Sequence, residues 1–141
     1  MSLYLDASVI VPTLVREPSA AAVERLVERQ TERPIVGDLA AIEVSSAISR
    51  LVRMGQISVH AAATILADFD VWRGAMGAAG RVEAADFRAA DAIVRRFELG
   101  LRGLDALHLA ACLRGGHTLA TLDRRLANAA ATLGLATAVP A

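Results

Sequence analysis

The feature that most constrains this chain is its alternation. Short apolar runs compatible with strands recur between longer segments of helical periodicity, from one end to the other. Leu3-Tyr4-Leu5, Pro34-Ile35-Val36-Gly37, Thr118-Leu119-Ala120-Thr121 and Ala136-Thr137-Ala138-Val139 read as strands. Arg81-Val82-Glu83-Ala84 is the weakest of the set. A helix is expected to begin within Ser8 to Val11, with Pro12 in its first turn, where a missing N–H costs nothing. Further helices are expected over 19–29 with Ser19 as N-cap, 39–54 capped by Asp38 and closed by Gly55, and 58–72. Three more are expected over 86–98, 105–114 and 123–133, ended by Gly100, Gly115-Gly116 and Gly134. Strands alternating with helices predict an α/β chain, a parallel sheet with helices on both faces. With no linker or repeat in 141 residues, the expectation is one domain over 1–141.

Composition narrows the function. At 55% hydrophobic residues the chain is no disordered segment, and the lone Cys112 has no partner for a disulfide scaffold. Fifteen basic residues balance fifteen acids, so no global field steers it to a polyanion. All fifteen are Arg. The absence of Lys removes a Walker-A phosphate loop and Schiff-base chemistry, and leaves phosphate contacts to guanidinium groups, helix N-termini or a metal. Positive hydropathy comes from 30 dispersed alanines. With no long uninterrupted apolar run and no signal-peptide pattern, a cytoplasmic protein without a membrane span is expected.

Parallel sheets of this kind place ligands at the carboxyl ends of their strands. Asp6 ends the first strand, Asp123 follows the strand at 118–121, Asp105 starts a helix, and Glu43 lies in the first turns of the helix after the second strand. Converging carboxylates repel unless a cation lies between them, and all-oxygen donors select Mg²⁺ or Mn²⁺. The chemistry this implies is hydrolytic phosphoryl transfer through a metal-activated water. A plainer reading makes Asp105 and Asp123 helix caps and turns Glu43 to solvent. Asp6, between three apolar strand residues and an apolar helix start, fits a plain surface poorly.

These residues resemble a known family. Tyr4-Leu5-Asp6-Ala7-Ser8 resembles the first motif of PIN-domain ribonucleases, and Ala41-Ile42-Glu43-Val44-Ser45-Ser46-Ala47 their Glu-bearing motif. Leu104-Asp105-Ala106-Leu107-His108-Leu109-Ala110 is similar to a motif of the VapC toxin branch, and Thr121-Leu122-Asp123-Arg124 to the closing one. The resemblance implies an α/β/α PIN domain and a ribonuclease using Mg²⁺ or Mn²⁺ held by Asp6, Glu43, Asp105 and Asp123. It implies supporting hydroxyls at Ser8 and Thr121. It also implies an RNA substrate, a VapB-like antitoxin lying in a groove beside the site, and a homodimer.

Other residues carry two readings each. Arg50, Arg53, Arg124 and Arg125 are candidate phosphate contacts or solvated charges. His108, three residues after Asp105, is read as a structural hydrogen-bonding residue rather than a base. Asp91 is expected to pair with Arg95 at i,i+4, and Asp86 to cap a helix. Phe69, Trp72, Phe87 and Phe97 are expected in the core or at a dimer contact, and His60 and His117 on the surface. Leu14, Val15, Ile48, Leu51 and Leu66 are candidates for a partner groove. Two other functions are retained: a PIN-like module that binds RNA or protein without cutting, and a small-substrate phosphatase. The phosphatase lacks the second Asp that an aspartyl-phosphate motif requires.

Overall fold

The computed structural model describes residues 2–141. Five parallel strands form one sheet in the order β3-β2-β1-β4-β5, with β1 Leu3–Leu5, β2 Ile35–Gly37, β3 Ala78–Gly80, β4 Thr118–Ala120 and β5 Thr137–Ala138. Seven α-helices among the described residues flank it: α1 Ala7–Val15, α2 Ala20–Glu28, α3 Asp38–Arg53, α4 Val59–Met76, α5 Ala84–Val94, α6 Gly103–Gly115 and α7 Arg124–Thr132. The chain builds outward from β1 through β2 and β3, then returns to the other side of β1 for β4 and β5. The order therefore reverses between β1 and β4, paired in register from Leu3 against Thr118 to Leu5 against Ala120. In open α/β sheets that reversal opens a crevice at the strands' carboxyl ends.

Two apolar layers hold the sheet. One face carries Val9, Ile10, Val23, Val44, Ile48 and Phe69 from α1 to α4. The other carries Ile93, Leu109, Leu126 and a series of alanines from α5, α6 and α7. Small residues Ala90, Ala106 and Ala110, all buried, let α5 and α6 approach closely. β1 is buried throughout, as a central parallel strand must be.

Several boundaries differ from the sequence expectation. The third strand is Ala78–Gly80, not 81–84. The pattern rule passed over it because Ala78-Ala79-Gly80 has no β-branched residue. Its glycine is required by proximity: a Cβ on Gly80 would stand 2.7 Å from the Ile35 side chain. Pro12 sits inside α1 rather than in its first turn. The helix ends soon after, at Arg16 in the left-handed region (φ 60°), whose N–H donates to the Pro12 carbonyl. Asp38 is the first residue of α3, and Gly37 holds the cap position. α5 stops at Val94, and Phe97–Leu99 forms a separate turn of 3-10 helix.

Asp86 is not the cap residue of α5, a place taken by Glu83, but lies in the first turn and reaches back to it. It accepts the Glu83 N–H at 2.8 Å, closing the first turn of α5. It is also 2% exposed and takes a two-pronged contact from Arg114 of α6, at 2.8 and 3.0 Å. Arg114 further donates to the Arg81 carbonyl at 2.7 Å. One guanidinium thus fastens the start of α5 to the end of α6. It also holds the Asp86 carboxyl below its usual range.

Candidate active site

Asp6 follows β1 directly, at the point where strand order reverses. It is 5% exposed, and both carboxylate oxygens are held. Ser8 Oγ donates to Oδ1 at 2.6 Å, and Thr121 Oγ1 donates to Oδ2 at 2.6 Å. The two hydroxyls stand 3.1 Å apart and also reach the β4–α7 turn. Ser8 Oγ accepts the Leu122 N–H at 2.8 Å, and Thr121 Oγ1 accepts the Asp123 N–H at 3.0 Å. A short polar mesh thereby ties the end of β1 to the turn that carries Asp123. Ser8 and Thr121, both singled out from sequence, are its knots.

Burial pushes the Asp6 carboxyl above its usual range. The Ser8 and Thr121 hydrogen bonds and the nearby His108 ring pull it back, while the charge of Glu43 raises it again. Asp6 and Glu43 therefore share a field across the crevice mouth, and neither takes an ion pair from an arginine among the described residues.

Asp123 is the N-cap of α7, as the plainer reading expected, whereas Arg102 holds the cap position of α6 and Asp105, three residues on, reaches back to it. Asp105 Oδ2 accepts the Arg102 N–H at 3.1 Å at the start of α6. Asp123 Oδ1 accepts the N–H groups of Arg125 and Leu126 at 2.9 and 3.2 Å at the start of α7. Each contact engages one oxygen and leaves the other without a hydrogen bond among the described residues, so holding a helix start and a second duty are compatible. Glu43 is half-buried, and one oxygen accepts from His108 Nε2. His108 is the hydrogen-bonding residue expected from sequence; its other nitrogen meets the Tyr4 hydroxyl at 2.7 Å.

Glu43 and Asp105 line one cleft of about 720 Å³ together with Phe87, Asp91, Arg102 and Leu104. Asp91 makes the expected i,i+4 pair with Arg95 at 3.0 Å, yet it also borders this cleft. Among the described residues no three Asp, Glu, His or Cys side chains converge tightly enough to hold one metal ion as they stand. The donor chemistry nevertheless fits a hard divalent cation. The donors are all oxygen, Asp6 and Glu43 feel each other's charge without an arginine partner among the described residues, and Glu43, Asp105 and Asp123 each keep one oxygen uncommitted.

Arg50 and Arg53 lie in the last turn of α3, exposed, with Arg53 donating to Ser49 at 2.7 Å. Arg124 is exposed beside Asp123. The arginine that lines the cleft of Glu43 and Asp105 is Arg102, which was not among the candidates read from the sequence. Its place directly before Gly103-Leu104-Asp105 was the available signal. Phe69 is in the core and stacks on the half-buried Trp72, but Phe87 and Phe97 are 59% and 85% exposed. His60 is exposed as expected; His117 is half-buried and stacks on Tyr4, and burial lowers its pKa.

The model for the PIN domain matches residues 3–132. The chain belongs to the PIN-domain family. This PIN domain is 36% identical to Ribonuclease VapC46 of Mycobacterium tuberculosis (strain ATCC 25618 / H37Rv), over 99% of this chain and 98% of that one. Its fold matches VapBC2 from Rickettsia felis, solved bound to a DNA fragment from its promoter, with a TM-score of 0.77, 11% identity and complete coverage of both chains. It also matches VapC20 of Mycobacterium tuberculosis, described as a sarcin-ricin loop cleaving toxin. There the TM-score is 0.71 and the identity 18%, over 91% of this chain and 95% of that one. The α/β/α fold with an all-parallel sheet, expected from the alternation, is thereby established.

Proposed function

We propose that this PIN domain is a metal-dependent endoribonuclease and the toxin of a toxin–antitoxin pair. Asp6, Glu43, Asp105 and Asp123 hold Mg²⁺ in this reading, and Mn²⁺ substitutes for it. The observation that carries the reading is the likeness to a ribonuclease at 36% identity over 99% of the chain. The placement of all four acids at the carboxyl edge of the sheet supports it.

The bound ion supplies an acidified water and stabilises charge on the phosphodiester. The chain's own residues do the rest. Ser8 and Thr121 fix Asp6 by donating to both its oxygens, so its orientation is set before substrate arrives. The helix-terminal N–H groups fix Asp105 and Asp123 in the same manner. Arg102, exposed and free of hydrogen-bond partners at its guanidinium among the described residues, offers a planar fork to a backbone phosphate beside Glu43 and Asp105. Arg50, Arg53 and Arg124 contact phosphates farther along the strand.

The antitoxin occupies a second groove, about 600 Å³, between α1, α2 and α4. Leu14, Val23, Val27 and Trp72 line it, with Glu24 and Glu28 on its rim, so an apolar segment bearing basic residues complements it. Of the sequence candidates, Leu14 lines this groove, whereas Ile48 is wholly buried in the core. Exposed Ile42, Phe87 and Leu104 around the acid cleft form the contact of a homodimer. No helix among the described residues is long and apolar enough to cross a membrane, and the cytoplasm is the compartment that fits an RNA substrate.

The test is cleavage of total RNA by the wild type and by Asp105→Asn, with Mn²⁺, Mg²⁺ or EDTA. Discrete fragments that require both the ion and Asp105 are expected. Cleavage that survives EDTA or Asp105→Asn overturns the assignment of the site. Binding of RNA with no cleavage of any RNA tried favours a non-cleaving module instead.

A further inference from the structure

Glu43 differs from its three acidic neighbours in how it is held. Asp6 is fixed by two hydroxyls, and Asp105 and Asp123 by backbone N–H groups at helix starts. Glu43 lies inside α3, where backbone N–H groups already serve the helix, and its side chain has more rotatable bonds than an aspartate. Its one hydrogen-bond partner among the described residues is His108. We propose that His108 is a positioning residue for Glu43, locked in turn by Tyr4, so that the Glu43 carboxylate presents its free oxygen to the ion site. The proposal rests on the metal-dependent reading above and deepens it.

The chain of contacts runs from the buried central strand to the acid with the longest side chain of the four. Tyr4 lies in the central strand, 3% exposed. Its ring meets His108 edge-on at 5.5 Å and stacks on His117 at 6.4 Å. The Tyr4 hydroxyl is 2.7 Å from His108 Nδ1. His108 is 1% exposed, so water does not compete for either nitrogen. A carboxylate only accepts, so Nε2 carries the proton that is donated to Glu43. In the neutral ring Nδ1 is then the acceptor, and the Tyr4 O–H donates to it. Each member of the triad thus fixes the orientation of the next, as outer partners do for metal-ligating side chains. Spacing adds a further link. Asp105 and His108 are three residues apart on one face of α6, so a single helix supplies one acid and the holder of another.

The test compares wild type with Tyr4→Phe, His108→Gln and His108→Leu. Mn²⁺ binding is measured by calorimetry, RNA cleavage as kcat and KM, and the His108 tautomer by ¹⁵N NMR. In His108→Leu, Mn²⁺ affinity should fall about 10- to 100-fold, with kcat following and KM for RNA little changed. His108→Gln, whose amide both donates and accepts, should recover most of the loss. Tyr4→Phe should weaken Mn²⁺ binding by a smaller factor and mix the His108 tautomers. Unchanged Mn²⁺ affinity in both Tyr4→Phe and His108→Leu, with only a lower Tm, would reduce the triad to packing and overturn the proposal. Should His108→Leu not fold, unchanged affinity and an unmixed tautomer in Tyr4→Phe overturn it alone. A wild type that binds no Mn²⁺ overturns the functional reading itself, a result distinct from binding that the variants leave intact.

Discussion

Thr121→Val tests the polar mesh at its centre. The substitution keeps shape and volume and removes one hydroxyl. Thr121 is fully buried, so no water replaces its hydrogen bond to Asp6 Oδ2. A hydrogen bond to a charged group contributes ~1.5–3 kcal/mol. The Asp123 N–H loses its acceptor too, but Asp123 is exposed and water recovers most of that contact, leaving under ~1 kcal/mol. The expected cost is therefore about 2–4 kcal/mol, read from urea unfolding in EDTA at neutral pH with an unchanged m-value. RNA cleavage should fall about 10- to 100-fold because Asp6 loses half of its orientation. Thr121→Ser, which restores the donor, should recover most of both.

The pH dependence of that cost follows from Asp6. Its folded pKa is raised above the unfolded value of about 3.9, so its ionisation opposes folding once pH climbs past that value. The Thr121 hydrogen bond favours the ionised form and offsets part of this opposition. Its loss should therefore cost most where Asp6 is charged, and the cost should shrink as pH falls and the carboxyl takes up its proton. A cost below about 1 kcal/mol at neutral pH, or one that does not change with pH, would refute the account of Thr121 as a donor to a charged Asp6.

Two further predictions concern charge. Arg114→Ala strips the guanidinium from a carboxylate that is 2% exposed and should cost about 2–3 kcal/mol in chemical unfolding, less than a fully buried pair because Arg114 is itself partly exposed. Adding Asp86→Asn should return much of it, and because the folded Asp86 pKa is lowered, the wild-type contribution should be present above about pH 4 and disappear as pH falls through the folded value. Asp6→Asn should abolish cleavage and, in EDTA, raise stability by about 1 kcal/mol, since it removes a buried charge that Glu43 opposes. A metal-free Asp6→Asn less stable than wild type would show that the Ser8 and Thr121 hydrogen bonds outweigh burial.

The parts of this molecule that were legible in the sequence are those governed by local rules. Leu3–Leu5 followed by Asp6 announces a buried strand that ends in a charge, and the alternation of elements dictates parallel order. Asp123 and Ser58 cap their helices through side-chain hydrogen bonds, as residues of their kind before a helix do. What escaped was decided by distance. β3 has no strand-like side chains and exists because β2 lies beside it, paired from Ile35 and Ala78 to Gly37 and Gly80. Asp86 reads locally as a cap, and only the approach of α6 reveals that Arg114 buries and pairs it. Phe87 borders the acids because α5 and α6 pack together, a fact with no trace in either segment alone.

The same distinction explains the organisation of the site. Asp105 and Asp123 are held by N–H groups near in sequence, those of Arg102 and of Arg125 and Leu126, whereas Asp6 is held half locally by Ser8 and half by Thr121, 115 positions away. The restraints on Asp105 and Asp123 form with their own helices, and that of Ser8 on Asp6 with the start of α1. Glu43 is held by a residue 65 positions away, and that residue by one 104 positions farther back in the chain, so its orientation exists only once α3, α6 and β1 have met. The fourth acid is therefore the one with no local hydrogen-bond restraint on its side chain among the described residues. A local defect far from the crevice, at the Arg114 clamp that fixes α5 to α6, should be felt at Glu43 before it is felt at Asp6.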